Sequence, residues 1–497
     1  MDRRHWKNAF FSPLLTDLYQ LTMACGYWKT GMSRKEAVFN LFFRRNPFGG
    51  GFAVAAGLDQ VLAFLEAYRF DEEDLSYLAS LRGSDDKALF DRGFIDYLRS
   101  LRLACDLDAV PEGTVVFPLE PLVRVRGPIL HCQLLETALL NIMNFQTLVA
   151  TKAARVVLAA KGDPVLEFGL RRAQGVDGGL SASRAAYIGG CAATSNVLAG
   201  KVFGIPVRGT HAHSWVMAFD SEIEAFRAWA EAMPNNCTFL VDTYNTLEGV
   251  RRAVEVAREM RSRGCELSGI RLDSGDLAYL SREARKILDE AGFDRAGIVG
   301  SNDLDEYLIE SIKQQGGAVG IWGVGTRLAT SYSQPALDGV YKLTAIREPG
   351  SDWESRIKLS EQAVKITIPG VLQVRRFQSG SECVADMIYD ERRPPAGDCV
   401  IVDPLDRTRR KRIRADTPAE DLLVPAVREG RVVYESPSLE AMRERAQSEL
   451  RRFHDGIKRF VNPHVYPVGI EESLYDLRER LIVQARKEVF GENGCQG

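Results

Sequence analysis

Val207-Arg-Gly-Thr-His-Ala-His-Ser214 joins an apolar run to a helical pattern. The run Val202, Phe203, Ile205 and Val207 ends in Gly209-Thr210. Val216, Met217 and Phe219 then mark the apolar side of a helix that Ser214, a good N-cap residue, is expected to open. The stretch reads as a strand-to-helix corner. Two of the six histidines, His211 and His213, stand in it two residues apart, so an extended backbone would project both to one side. Such a corner gathers imidazole, hydroxyl and free backbone N–H groups, which suits phosphate chemistry. Two solvent-facing loop histidines are the plain alternative, and the corner's neighbours decide between them.

Outward from this corner, apolar strand candidates alternate with amphipathic helical patterns: Val165 to Phe168, Ile205 to Arg208, Thr238 to Val241, Ser268 to Leu272, Gly297 to Val299 and Val319 to Trp322. That alternation is the signature of parallel α/β architecture, and a barrel or partial barrel is its simplest closure. Each candidate ends in chemically competent groups. Glu167 and Arg171 follow the first, Thr210 and His213 the second and Asp242 the third. Arg271 and Asp273 follow the fourth, Ser301 and Asn302 the fifth, and Gly325 and Thr326 the sixth. Strand C-terminal ends form the active-site mouth of such folds, so these groups are expected to converge.

The remaining chain has a different texture. Helices are expected at Leu14 to Met23, Leu58 to Tyr68, Glu73 to Leu81 and Leu134 to Thr147, with a strand at Ala37 to Phe43 and a small antiparallel unit around Val110 to Val125. The Gly-rich stretch Asn46 to Gly51 lacks the lysine and spacing of a P-loop and reads as a turn. Strands are expected at Ala363 to Ile368, Val371 to Gln378, Val384 to Tyr389 and Cys399 to Val402, helices at Ser438 to Phe453 and Glu471 to Val489, and a frayed Gly-rich end after them. The expected organisation is residues 1–135 as the first part of an α+β domain and 136–340 as an irregular (β/α) barrel. Residues 341–437 form a β-rich segment completing the first domain, and 438–497 a helical C-terminal extension.

Composition narrows the function classes. The chain has 497 residues, 45% hydrophobic and 26% charged, with a net charge of −3, so no basic excess points to nucleic acid or an anionic membrane. The Arg407 to Arg414 run reads as a solvated surface. Nine scattered cysteines without a C-x-x-C pair fit a reducing cytoplasm. Residues 2–7 carry charge but no apolar h-region follows, and no apolar run reaches membrane-spanning length.

At the expected mouth, Gly323-Val-Gly-Thr326 and Gly300-Ser-Asn-Asp303 follow adjacent strands. Glycines there let the backbone approach a phosphate, and the Thr or Ser hydroxyl adds a contact. Arg171 and Arg271 are placed for bidentate contact to a carboxylate or phosphate, while Arg172 is expected in a salt bridge with Glu167 or Asp273. Asp273 suits a metal-bound water or a ribose hydroxyl. Asp242 is similar, or caps the helix after Asn245. His213 could be a general base, a metal ligand or a phosphoryl acceptor, and the last fits the neighbouring phosphate motifs best.

Thr16-Asp-Leu-Tyr-Gln-Leu-Thr-Met23, Glu167-Phe-Gly-Leu-Arg-Arg-Ala173, Gly209-Thr-His-Ala-His-Ser214, Arg271-Leu-Asp-Ser-Gly-Asp276, Ser301-Asn-Asp-Leu-Asp305 and Gly323-Val-Gly-Thr326 together resemble the nicotinate phosphoribosyltransferases, type II phosphoribosyltransferases. They run in family order across nearly the whole chain. Two departures are Val176 in place of Pro and Asn245 in place of Asp. The resemblance implies a cytoplasmic enzyme that makes nicotinate mononucleotide from nicotinate and phosphoribosyl pyrophosphate, coupled to ATP through a phosphohistidine at His213. It implies nicotinate binding by Thr210, Arg271 and the nearby Arg171, and phosphoribosyl binding around Gly300, Ser301, Asn302, Gly323, Gly325 and Thr326. Tyr19 would stack on the pyridine ring from a neighbouring subunit, so a homodimer is expected. Mg²⁺ is the expected ion, with Asp273 stabilising the sugar cation directly or through it.

Three rivals stand beside this reading. The same fold could act on nicotinamide or quinolinate, although a neutral amide needs no guanidinium and a dicarboxylate needs more basic groups. A barrel isomerase or aldolase would recruit a Schiff-base lysine such as Lys342 or a Glu base. An inactive binding relative would lack His213, Arg271 or Thr326, and all three are present.

Overall fold

A computed structural model describes residues 11–490. The charged start and the Gly-rich end expected to fray lie outside the described residues. Among the described residues, no helix is long and apolar enough to cross a membrane. Two compact units are distinguished: Leu148–Pro335 with Leu439–Gln447, and the unit formed by Met1–Thr147, Ala336–Ser438 and Ser448–Gly497.

The first of these carries the alternating pattern. Its six strands are β1 (Val165–Glu167), β2 (Ala193–Thr194), β3 (Thr238–Leu240), β4 (Gly269–Leu272), β5 (Gly297–Asn302) and β6 (Ile321–Val324). All pair in parallel, in the order β2-β1-β6-β5-β4-β3, as a curled half-barrel. Most of their apolar side chains are buried, with Phe239, Ile270, Leu272, Trp322 and Val324 fully enclosed, because helices cover a parallel sheet. The register closes the last strand on the first, Trp322 opposite Val165 and Val324 opposite Glu167. That pairing brings the residues after β1 beside those after β6.

Helices leave these strand ends through side-chain caps. Asn196, Asn245, Asp276 and Asp305 each accept a backbone N–H from the first turn that follows. Asn245 fills the N-cap of Thr246–Ser262, where Asn and Asp serve equally, so that departure from the family pattern carries no structural cost. Val176 lies fully open on the helix Gly175–Ile188.

Among the described residues the β-rich unit holds two large antiparallel-dominated sheets and a two-stranded one, Ala53–Val54 with Val115–Val116. Glu36–Phe42 pairs with both Val123–Pro128 and Val340–Arg347, and Asp106–Ala109 pairs with Val424–Arg428, so early and late chain segments share one seven-stranded sheet. The second sheet is six-stranded, built around Leu372–Ser379 and Glu382–Asp390, and takes in Val468–Glu471 from the C-terminal extension. The expected α/β fold with a barrel-type sheet and a discontinuous β-rich domain is the one observed, whereas the stretch expected as a separate helical extension is divided: Leu439–Gln447 belongs with the first unit, and the chain after it with the β-rich one, which takes in Val468–Glu471 as a strand.

Several expected elements differ. Ile205 to Arg208 is not a strand: only Val207 bridges, to Thr194, because the two-residue β2 occupies the sheet edge instead. Ala363 to Ile368 is not a strand: Ala363–Lys365 forms an outward-facing 3-10 turn, and Thr367 and Ile368 are buried after it, without a partner strand among the described residues. The first helix starts at Leu18 rather than Leu14. The helix after the histidine corner is His213–Met217, capped at Ala212, so Ser214 is already helical and not the cap.

Candidate active site

The strand register places the polar groups. Arg271 on β4 lies opposite Val299 on β5, and Ser301, two residues further on, points to the same face. The Arg271 guanidinium donates from Nε to Ser301 Oγ at 2.8 Å, from one terminal nitrogen to Thr210 Oγ1 at 3.3 Å, and from the other to Asp273 Oδ1 at 2.8 Å. Ser301 in turn hydrogen-bonds Asp273 Oδ1. Two strand ends, those of β4 and β5, and the histidine corner are thus tied through one side chain. Burial alone would raise the Asp273 carboxyl, but the Ser301 hydroxyl, Arg271 and His213 outweigh it and hold the group below the usual carboxylate range.

The two histidines part company. His213, at the start of its helix, has Nδ1 3.1 Å from Thr243 Oγ1 and Nε2 3.7 Å from Asp273 Oδ2. His211 is 5% exposed, its ring 5.0 Å from that of Trp229, and its Nε2 accepts the Leu240 N–H at 3.2 Å. Burial holds the His211 imidazole down to about 4, with Arg271 and His213 depressing it further against the Ala212 carbonyl. It is a neutral core histidine that ties the corner to β3. The expected common direction fails because the backbone turns into a helix at His213.

Two adjoining cavities open here. The larger, about 310 Å³, is lined by Phe168, Arg171, Thr210, His213, Arg271 and Asp273 among others. The smaller, about 100 Å³, shares Phe168, Arg171, Arg271 and Asp273 and adds Arg172, Ser301, Asn302, Gly323, Gly325 and Thr326. Of the expected site residues, Gly300 and Tyr19 line neither. Gly300 is buried within β5, where a Cβ would stand 2.9 Å from Val319, and Gly323 is similarly required by the Phe168 ring at 2.8 Å. Packing accounts for Gly300, while Gly323 both packs on Phe168 and lines the smaller cavity. Gly325 stands at the N-cap of Thr326–Ala329, whose first N–H groups have no intrahelical acceptor. Asn302 has φ +124°, an uncommon backbone state at the rim of the smaller cavity. Tyr19 is 48% exposed on Leu18–Lys29.

The expected Arg172 salt bridge is absent among the described residues. Glu167 is buried and takes Ser183 Oγ at 2.8 Å, Thr194 Oγ1 at 2.6 Å and the Gly169 N–H, which leaves no room for a guanidinium. Arg171 and Arg172 both face solvent and the smaller cavity without a carboxylate partner. Asp242 does not cap a helix: its Oδ2 accepts the Asp273 N–H at 2.8 Å and Ser274 Oγ at 2.7 Å, while its buried Oδ1 has no partner. Phe168, Ser195 and Thr243 are site residues that the sequence reading passed over. Phe168 and Ser195 directly follow β1 and β2 and Thr243 is the third residue beyond β3, and none of them carries the charge or the glycine-flanked pattern that marks a site in sequence.

Family models for the nicotinate phosphoribosyltransferase N-terminal domain, the family itself and its C-terminal domain match residues 14–144, 165–351 and 373–478. The chain belongs to the nicotinate phosphoribosyltransferase family. It is 44% identical over 484 residues to the nicotinate phosphoribosyltransferase of Bacillus subtilis (strain 168), covering 96% of this chain and 97% of that one. It is 37% identical over 533 residues to the Bos taurus nicotinate phosphoribosyltransferase, covering 95% and 97%. Human nicotinic acid phosphoribosyltransferase superposes with a TM-score of 0.82 at 35% identity, over 94% of this chain and 99% of that one. A nicotinate-nucleotide pyrophosphorylase from Pyrococcus furiosus shares the fold, with a TM-score of 0.67 at 23% identity over 88% and 94%. Among these family members the catalytic unit described above corresponds to the central match, 165–351.

Proposed function

We propose that this enzyme joins nicotinate to phosphoribosyl pyrophosphate, releasing nicotinate mononucleotide and pyrophosphate, with ATP hydrolysed through a phosphorylated His213 in pyridine-nucleotide salvage. The observation that carries it is the position of Arg271, whose guanidinium is shared by both cavities and oriented by three separate hydrogen bonds. A flat aromatic anion needs a fixed guanidinium for its carboxylate and an aromatic face for its ring. Arg271 with Thr210 supplies the first and Phe168, 5.7 Å from the guanidinium carbon, the second. Tyr19, exposed on its helix together with Leu18 and Met23, would close the other face from a partner subunit in a homodimer.

The phosphoribosyl phosphate is assigned to the smaller cavity, with Ser301, Asn302, Gly325 and Thr326 and the unpaired cations Arg171 and Arg172. The pyridine nitrogen attacks the sugar's anomeric carbon as its bond to pyrophosphate breaks. Asp273, kept ionised, stabilises the positive charge on the sugar. Because Thr243 engages Nδ1 of His213, Nε2, which faces Asp273 at 3.7 Å without a hydrogen bond, is the nitrogen that takes the terminal phosphoryl group of ATP, with ADP leaving. Water later cleaves the phosphohistidine to release phosphate.

Mg²⁺ fits the donor set. Among the described residues no three His, Cys, Asp or Glu gather as a metal site, and an ion held by one or two carboxylates plus substrate phosphates needs no such group. Asp273 and Asp242, with its orphaned Oδ1, would hold it. When bound it neutralises the departing pyrophosphate charge. A cytoplasmic setting agrees with eight free cysteines among the described residues.

The test is nicotinate mononucleotide formation with and without ATP, for wild type and His213→Ala, with nicotinamide as the competing base. ATP-stimulated product in the wild type alone is expected. Equal ATP stimulation in the variant would remove His213 from the mechanism, and preference for nicotinamide would overturn the base assignment.

A further inference from the structure

The basic run Arg407 to Arg414 divides by direction. Arg410–Ile413 pairs antiparallel with Cys399–Val402 at the edge of its sheet, Lys411 opposite Ile401 and Arg412 opposite Val400. Four cations of the run are matched to carboxylates: Arg410 to Glu472, Arg412 to Asp398 at 2.8 Å, Arg414 to Asp416 at 2.9 Å and Arg407 to Asp476 at 3.7 Å. The two others point elsewhere. Lys411 has no carboxylate within ion-pair distance among the described residues, and its amine donates only to the Val384 carbonyl at 2.6 Å. Arg409 reaches Asp403 only at 3.9 Å.

Both side chains line a cavity of about 360 Å³ that shares no residue with the catalytic cavities. Its other wall is apolar, formed by Ile401, Val465, Pro467 and Val468, with His464 and Tyr466 beside them, and Asp403 lines it on the side of the cations. Burial lowers the Lys411 amine from its ordinary value, so the group bears a desolvation cost that no carboxylate offsets. A concave site of this size, with three cations, Arg409, Arg410 and Lys411, against the single Asp403 carboxylate at one side and an apolar wall at the other, suits an anion carried on an apolar body.

We propose that this cavity binds a nucleoside phosphate, its phosphate on Arg409 and Lys411 and its base against Val465 and Pro467. The site is separate from the reaction centre and stands whether or not the proposed reaction is correct. A free anion such as inorganic phosphate would use the cations alone and leave the apolar wall open to water.

The test is calorimetric titration of the full chain with AMP and, separately, with inorganic phosphate, together with hydrogen exchange to locate the ligand. AMP is expected to protect residues 399–413 and 461–468, and to bind about tenfold more weakly to Arg409→Gln and to Lys411→Gln, each of which removes a charged hydrogen bond. Arg409 is an exposed loop side chain, so its variant is expected to keep the wild-type unfolding midpoint and basal turnover. Failure of AMP to bind, equal affinity in wild type and both variants, affinity for inorganic phosphate equal to that for AMP, or protection confined to segments lining the catalytic cavities would each overturn the proposal.

Discussion

Arg271 illustrates how much of the site rests on single side chains. Its three donors point to Ser301, Thr210 and Asp273, a fork that the compact ammonium of lysine cannot reproduce. Arg271→Lys is expected to lower kcat/KM for nicotinate by about 10- to 100-fold, the range for losing one charged hydrogen bond, in steady-state kinetics with nicotinate varied. His211 has a different consequence. Folded, it stays neutral down to about pH 4, while the unfolded chain takes up a proton near pH 6.5. Its contribution is therefore present above about pH 6.5 and lost as the pH falls toward 4, on the order of 3 kcal/mol in all. Urea unfolding across that range should show the loss in wild type and a flatter profile in His211→Gln. The sequence put both histidines in one corner and assigned a role only to His213. Only packing against Trp229 and the turn at His213 made one structural and left the other facing Asp273.

At the scale of elements, the helix Thr246–Ser262 is set by two residues. Asn245 caps it by accepting the Glu248 N–H at 3.1 Å, and Gly249 lets it approach β3 so closely that a Cβ would stand 2.1 Å from the Val241 carbonyl oxygen. Asn245→Ala is expected to cost about 1 kcal/mol and Asn245→Asp little. Gly249→Ala, which meets backbone rather than a movable side chain, should cost about 2 kcal/mol or more, both read from denaturant midpoints. The long helices and the strands β3 to β6 were legible because their apolar periodicities and capping residues are local signals. The two-residue β2 was not, since Ala193-Thr194 carries no periodicity, and the apolar Ile205 to Val207 run took its place in the reading.

At the scale of the whole molecule, the catalytic cavities are built from one compact unit, yet Tyr19 lies on a helix of the other and lines neither cavity. A homodimer that exchanges this residue predicts complementation. Tyr19→Ala and Arg271→Ala, each nearly inactive alone, should regain about a quarter of wild-type activity when unfolded and refolded together, because half the dimers are mixed and each mixed dimer has one intact site. Sedimentation with activity at matched concentrations would check it; no recovery would place Tyr19 outside the site. The sequence by itself determined the α/β class, the strand ends that carry Arg271, Asp273, Ser301 and Thr326, and the family, since these depend on local periodicity and on residue order along the chain. The tertiary structure alone decided which of those residues meet. Parallel pairing of β6 with β1 and β5 with β4 brings strand ends distant in sequence to hydrogen-bonding distance, and register across a sheet is a property of paired backbones that no single segment encodes.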